Sequence, residues 1–175
     1  LYAVPYMDDP GRFHYTDGQG RKVLGFRSPR ATQDGVYAGF EDIFRGSESF
    51  IRDRFHAYLP LLRNHERVVD IGCGRGELLD VLRGAGISAV GVDIDEAMVK
   101  RCLAKGLTVE LLDGVAYLSR QRDDSVPAIV AAQVVEHLSY KELLTFLELA
   151  RTKLKAGGQL IFETVNPHAL EAFKT

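Results

Sequence analysis

The chain has no tryptophan, only two cysteines and two methionines, and no apolar run that approaches the ~20 residues of a membrane helix. The missing run implies no transmembrane span; no signal peptide is visible, and the start at Leu1 rather than Met leaves open that one has been removed. Two cysteines are too few for a disulfide scaffold. Cys73 falls in a glycine-rich loop and Cys102 in an expected helix, a setting that predicts two buried thiols in a reducing, cytoplasmic compartment. A dominant charge is also lacking. Lys and Arg number 22 against 24 Asp and Glu, dispersed along the chain, which leaves no electrostatic footprint for nucleic acid. Histidines at 14, 56, 65, 137 and 168 show no ligand spacing, so no metal site is expected. No serine sits in a nucleophile elbow, which argues against a hydrolase. What is present is a 46% hydrophobic chain of 175 residues, enough for one compact domain with a real core.

The densest information lies in Val68-Val69-Asp70-Ile71-Gly72-Cys73-Gly74-Arg75-Gly76-Glu77. A short apolar strand runs into Asp-x-Gly-x-Gly-x-Gly and on into a helix with Leu78, Leu79 and Leu82 on one face. Glycine at these places lets the backbone turn sharply and approach a ligand where a Cβ would obstruct it. Amides at the helix start favour an anionic group nearby. About twenty residues on, Gly91-Val92-Asp93 ends a second strand with a carboxylate, where a ribose hydroxyl pair needs an acceptor. Nothing adjacent in sequence claims that acid. Strand, glycine turn, helix, strand and acid together predict a nucleoside-binding unit. A dinucleotide fingerprint would need glycine where Glu77 stands. Asp70, at the strand end, suits an ammonium group, which nicotinamide dinucleotides lack.

From residue 68 onward the pattern alternates strand and helix. Strands are expected at 68–71, 89–92, 108–112, 128–132 and 159–164, the fourth apolar throughout and so buried on both faces. Asp95 caps one helix, which carries a Glu96–Lys100 pair, and Ser139 with Glu142 forms a capping box for another. That last helix is expected to run through Lys153 and Lys155 to a stop at Gly157-Gly158. Each connection places a helix between strands, which predicts an α/β fold with a doubly wound parallel sheet. Residues 1–46 differ in texture and read as an N-terminal extension. Residues 12–16 and 21–26 around Asp17-Gly18-Gln19-Gly20 predict a hairpin. The core spans 47–175 and opens with Phe50, Ile51, Phe55, Tyr58, Leu59 and Leu62 at helical spacing, interrupted by Pro60.

Asp70-Ile71-Gly72-Cys73-Gly74-Arg75-Gly76 and Gly91-Val92-Asp93-Ile94 resemble the first and second motifs of the class I S-adenosylmethionine-dependent methyltransferases, within a likeness that spans residues 67–167. The resemblance implies a Rossmann-like core and S-adenosyl-L-methionine as cofactor. It implies that Asp70 holds the cofactor ammonium beside the Gly72-Cys73-Gly74 turn and that Asp93 binds the ribose. Ile94 and Met98 would flank the adenosine, Met98 serving equally well as core. Asp113 would meet the adenine amino group and Gly114 a ring nitrogen, although Asp113 also reads as a helix cap. Gln133 would lie beside the methionine part.

Residues 37–47 are similar to a segment of a subgroup associated with polysaccharide biosynthesis, which would bring Arg45 to the methionine carboxylate; pairing with Glu41 or Glu48 is the alternative. Glu136-His137 recurs in members that methylate oxygen on small molecules. His137, with Glu136 behind it, is therefore a candidate base, or else a backbone-binding side chain. Thr164, Asn166 and His168 are candidates to line an acceptor pocket. The expected acceptor is a hydroxyl on a sugar or glycan intermediate, with a quinone-like hydroxyl next. A cofactor-binding regulatory or assembly module without turnover is the alternative class, and a nicotinamide oxidoreductase the third. The family's last two strands are not found, so a fragment of a longer protein is expected. Its open sheet edge would be available to a neighbouring domain or a second copy.

Overall fold

The structure, a computed structural model, describes residues 14–16, 22–24 and 48–164. The chain divides into two compact units, Leu1–Asp53 and Arg54–Thr175. In the first, β1 (His14–Thr16) pairs antiparallel with β2 (Lys22–Leu24), His14 opposite Leu24. This is part of the expected hairpin ladder; its turn and the rest of residues 12–16 and 21–26 lie outside the described residues.

The apolar run from Phe50 to Leu62 becomes three pieces: α1 (Glu48–Phe55), a 3-10 turn (His56–Tyr58) and α2 (Leu59–Leu62). Pro60 stands in the first turn of α2, where its missing N–H would have had no partner. Leu62 is fully buried against Val68, Leu78, Leu82 and Ala128, while Phe50 is exposed. The expectation that this segment packs on the sheet therefore holds for its second half.

The second unit alternates β3 (Val68–Ile71), α3 (Glu77–Gly84), β4 (Ala89–Asp93), α4 (Glu96–Ala104), β5 (Val109–Leu111), α5 (Gly114–Arg120), β6 (Val126–Ala132), α6 (Tyr140–Lys153) and β7 (Leu154–Glu163). The strands form one parallel sheet in the order β5-β4-β3-β6-β7. Along β3, Val69 and Ile71 face the cluster built with α5 and α6, while Val68 faces the one built with α2 and α3. That is the period-two alternation of a strand covered on both sides. All seven residues of β6 are buried, as its unbroken apolar run requires. From β3 the chain winds out to β4 and β5, then crosses to β6 and β7. The order reverses between β3 and β6, and the carboxyl ends of strands at such a reversal are where doubly wound sheets bind their ligands.

The junction of α6 and β7 departs from expectation. The helix ends at Lys153, and Lys155 already belongs to the strand, which runs through Gly157-Gly158 instead of starting after them. The pairing of β6 with β7 shifts register between Val126 and Ala128. Gly157 adopts φ +76°, and a Cβ at Gly158 would lie 2.8 Å from the Lys155 carbonyl oxygen and 3.0 Å from that of Pro127. These glycines serve an irregularity in the strand pairing, not a helix stop. Among the described residues no helix is long and apolar enough to cross a membrane.

Candidate functional site

Three glycines shape the turn after β3. Gly72, Gly74 and Gly76 all take positive φ, at 69°, 50° and 81°. A Cβ on Gly72 would collide with the Val134 side chain, so the turn after β6 packs directly on the turn after β3. Both lie at the switch point.

The loop is fastened from within and from below. Arg75 donates to Glu77 Oε1 from Nε at 2.6 Å and from Nη2 at 2.6 Å, and the two residues are only 1% and 3% exposed. Lys105, just past α4, donates from Nζ to the Arg75 carbonyl at 2.7 Å. The Cys102 thiol donates to the Gly74 carbonyl at 3.2 Å. The hydrogen bond with Cys102, burial, and the nearby Asp70 and Asp93 carboxylates together push the Cys73 thiol up. Both cysteines are free and buried, as expected.

Asp93 ends β4 and ties two loops together. Its Oδ2 accepts from the Gly74 N–H at 2.8 Å and its Oδ1 from the Asp95 N–H at 2.9 Å. The sequence offered it no evident partner; the structure supplies two, one of them nineteen residues away. A carboxylate has about four lone-pair sites, so each oxygen keeps one for a ligand hydroxyl. Asp70 is buried at the end of β3. Ile94, next to Asp93, is 74% exposed, whereas Met98 is core at 2%.

Asp113 is exposed and accepts from the Ala116 N–H at 2.9 Å, so the helix-cap reading of this residue is realised. Gly114 abuts β3: a Cβ there would lie 2.5 Å from Ile71 Cγ2.

At the carboxyl ends of β6 and β7 a second polar group gathers. Gln133 takes φ +57°, a conformation a residue with a side chain rarely adopts away from functional or strained sites. Its backbone N–H donates to the Glu163 carbonyl at 2.7 Å and its Nε2 to Glu163 Oε1 at 3.3 Å. Arg54 Nη2 donates to the same Oε1 at 2.8 Å, and the Tyr58 hydroxyl donates to Oε2. Burial first, and then this bond to Glu163, raises Tyr58 to about 12. Glu136 and His137 lie beyond, exposed on a 3-10 turn (Val135–His137), and Glu136 Oε2 accepts from Thr164 Oγ1 at 2.9 Å. Arg45, Asn166 and His168 lie outside the described residues.

Arg54 and Glu163 have no role in the sequence analysis, where Tyr58 enters only as an apolar position at helical spacing. One signal for Glu163 was available. Like Asp70 and Asp93, it is an acid in or ending an otherwise apolar strand, Leu160-Ile161-Phe162-Glu163. Arg54 and Tyr58 join it from over a hundred residues away, which no local pattern reveals.

A parallel sheet with its order reversal at β3 and β6, a glycine turn on the first strand and a carboxylate closing the next define a nucleoside-binding domain of the doubly wound class. A family model described as a methyltransferase domain matches residues 43–175. The chain belongs to this methyltransferase domain family, and its core has the Rossmann-like fold of the class I S-adenosylmethionine-dependent methyltransferases. A solved S-adenosylmethionine-dependent methyltransferase from Archaeoglobus fulgidus is similar with a TM-score of 0.72 and 37% identity, covering 75% of this chain and 59% of that one. The human mitochondrial ubiquinone biosynthesis O-methyltransferase is 30% identical over 165 residues, 85% of this chain and 43% of that protein. The ubiquinone biosynthesis O-methyltransferase of Nitrosococcus oceani is 28% identical over 118 residues, 62% and 49% respectively. The chain thus spans about half the length of these curated relatives.

S-adenosylmethionine, the cofactor of this family, fits the residues present. Asp93 keeps an open lone pair on each oxygen, an exposed apolar side chain, Ile94, stands beside it, and the partly exposed Gly72 opens the turn that Asp93 ties down.

Proposed function

We propose that this domain transfers the methyl group of S-adenosylmethionine to a hydroxyl oxygen of a small molecule. The observation that carries the reading is Asp93, whose carboxylate fixes the Gly74 and Asp95 amides while keeping one lone pair per oxygen for a vicinal pair of ribose hydroxyls. In this reading Gly72, Cys73 and Gly74 pass their backbone along the cofactor, and Asp70 meets its ammonium group. Ile94 covers one adenosine face, Asp113 and Gly114 meet the adenine edge, and Gln133 lies beside the methionine part. Bound there, the cofactor supplies an electrophilic methyl group on a sulfonium. The chain's own contribution is chiefly placement, since an in-line displacement gains several orders of magnitude from orientation alone.

Oxygen as the methylated atom is supported by the names of the curated relatives, ubiquinone biosynthesis O-methyltransferases, which makes a ring hydroxyl the first acceptor to test. The sugar hydroxyl expected earlier rested in part on residues 37–47, which lie outside the described residues, and it is the second acceptor to try.

The test is calorimetric titration with S-adenosylmethionine, S-adenosylhomocysteine and NAD, on the parent and on Asp93→Ala. Micromolar binding of the first two, lost in the variant, is the expected result. Binding of NAD instead, or unchanged binding in the variant, overturns the reading.

A further inference from the structure

We infer that Glu163 is the group that takes the proton from the acceptor hydroxyl, with Tyr58 and Arg54 holding its carboxylate in place. The inference rests on the proposed methyl transfer to oxygen. Its basis is an accounting of lone pairs. Among the described residues, the Glu163 carboxylate receives three donors from three elements: Arg54 of α1 and Gln133, following β6, on Oε1, and Tyr58 of the 3-10 turn on Oε2. With about four acceptor positions on a carboxylate, one is left, and it is on Oε2.

The location suits the task. Glu163 ends β7, and its partner Gln133 precedes Val134, whose side chain packs on Gly72 of the cofactor turn. One strand, β6, therefore lies between Glu163 and the strand that carries the glycine turn. The carboxylate is 23% exposed, enough for a substrate to reach it. Three elements spend hydrogen bonds on one side chain, which fixes its orientation before any substrate arrives, as a proton acceptor requires. His137, the base suggested by sequence, is exposed, and among the described residues no hydrogen bond holds its ring.

The step balances as follows. The hydroxyl proton passes to Oε2 of Glu163. The electron pair of the hydroxyl oxygen forms the new O–CH3 bond, and the C–S bond breaks with its pair remaining on sulfur, which becomes a neutral thioether. Glu163 returns the proton to water after the product leaves. Tyr58 and Arg54 act through Glu163 and are positioning residues.

The experiment uses the full chain, S-adenosylhomocysteine for binding, and two phenolic probes for turnover. In 3,4-dihydroxybenzoate the ring hydroxyls are protonated at the assay pH, and in 4-nitrocatechol one is already ionised, so that only the first needs a base. In Glu163→Gln, calorimetry is expected to give S-adenosylhomocysteine affinity within about threefold of the parent. On 3,4-dihydroxybenzoate kcat falls about 100-fold or more, and on 4-nitrocatechol it falls less than about tenfold. Equal losses on both probes, or no loss, overturn the inference. Should Glu163→Gln fail to bind S-adenosylhomocysteine, the two-probe ratio is read on Glu163→Asp, which keeps the carboxylate but draws it back. A larger loss on the protonated probe supports the role and equal losses overturn it. A parent that binds S-adenosylhomocysteine but methylates neither phenol overturns the inference while leaving the cofactor reading intact. A parent that binds no S-adenosylhomocysteine overturns the proposed function itself.

Discussion

At the scale of single residues, the glycine turn after β3 depends on charges that water does not reach. Arg75 and Glu77 are both almost fully buried and bonded to each other at 2.6 Å. Removing the Glu77 charge takes a doubly bonded partner from the buried guanidinium, and breaking a buried pair in this way costs up to about 3–5 kcal/mol. Glu77→Gln is therefore expected to lower the urea midpoint sharply. Arg75→Met with Glu77→Leu removes both charges and is expected to cost far less than the single variant. A single-variant loss below about 1 kcal/mol would show that other groups carry the Arg75 charge. Asp93 supplies a second expectation. Its two oxygens each accept from a backbone N–H. Asp93→Asn must turn an NH2 toward one of those amides, and an N–H left facing a donor costs about 1–3 kcal/mol. The isosteric change is thus expected to weaken S-adenosylhomocysteine binding at least about tenfold and to lower stability as well, both measurable by calorimetry. Asparagine that binds as the parent does would show that Asp93 serves only as a loop tie.

At the scale of elements, α6 illustrates what local chemistry decides. Ser139 accepts from the Glu142 N–H at 3.3 Å, and Glu142 Oε2 accepts from the Ser139 N–H at 2.8 Å, closing the box that the residues spell out. Ser139→Ala is expected to cost about 1 kcal/mol in thermal or urea unfolding. The Ser139 hydroxyl and then its backbone N–H hold the Glu142 carboxyl below its usual value. A carboxyl with a lowered value in the folded state stabilises fully above its unfolded value and loses that contribution as the pH falls through the folded one. The stability difference between the parent and Glu142→Gln should accordingly be constant near neutrality, start to fall as the pH nears the ordinary glutamate value of about 4.3, and vanish in acid below the lowered folded one. A difference that grows in acid would contradict the box. Helix starts at Asp95, Asp113 and Ser139 were legible because a cap is settled within three residues. The end of α6 was not. Gly157-Gly158 looks like a helix stop in sequence, yet Gly158 answers to the Pro127 carbonyl on the neighbouring strand, thirty-one positions away. The same holds for Glu163, whose partners Arg54 and Tyr58 come from the far end of the unit. Motifs that sit on one turn could be read; groups assembled across the sheet required the fold.

At the scale of the whole unit, the order β5-β4-β3-β6-β7 places the glycine turn against a layer that only the intact fold keeps closed. Cys73 and Cys102 report on that layer. They are 5% and 0% exposed, hydrogen-bonded to each other, and Cys102 also holds the Gly74 carbonyl. A thiol reagent such as DTNB reaches them only when α4 separates from the glycine turn, so the native protein is expected to react slowly and the urea-unfolded chain at once. A ligand that binds only the closed form adds about 2.7 kcal/mol at a hundred times its dissociation constant. S-adenosylhomocysteine at that level should therefore slow labelling of both thiols by about 100-fold and raise the melting temperature by several degrees. The two readouts need not agree, and their disagreement would be informative. A melting temperature that rises while labelling stays fast would mean that α4 opens without disturbing the ligand. The Cys102–Gly74 contact would then be incidental to the site, whereas parallel changes would make the thiol layer and the cofactor turn one cooperative piece.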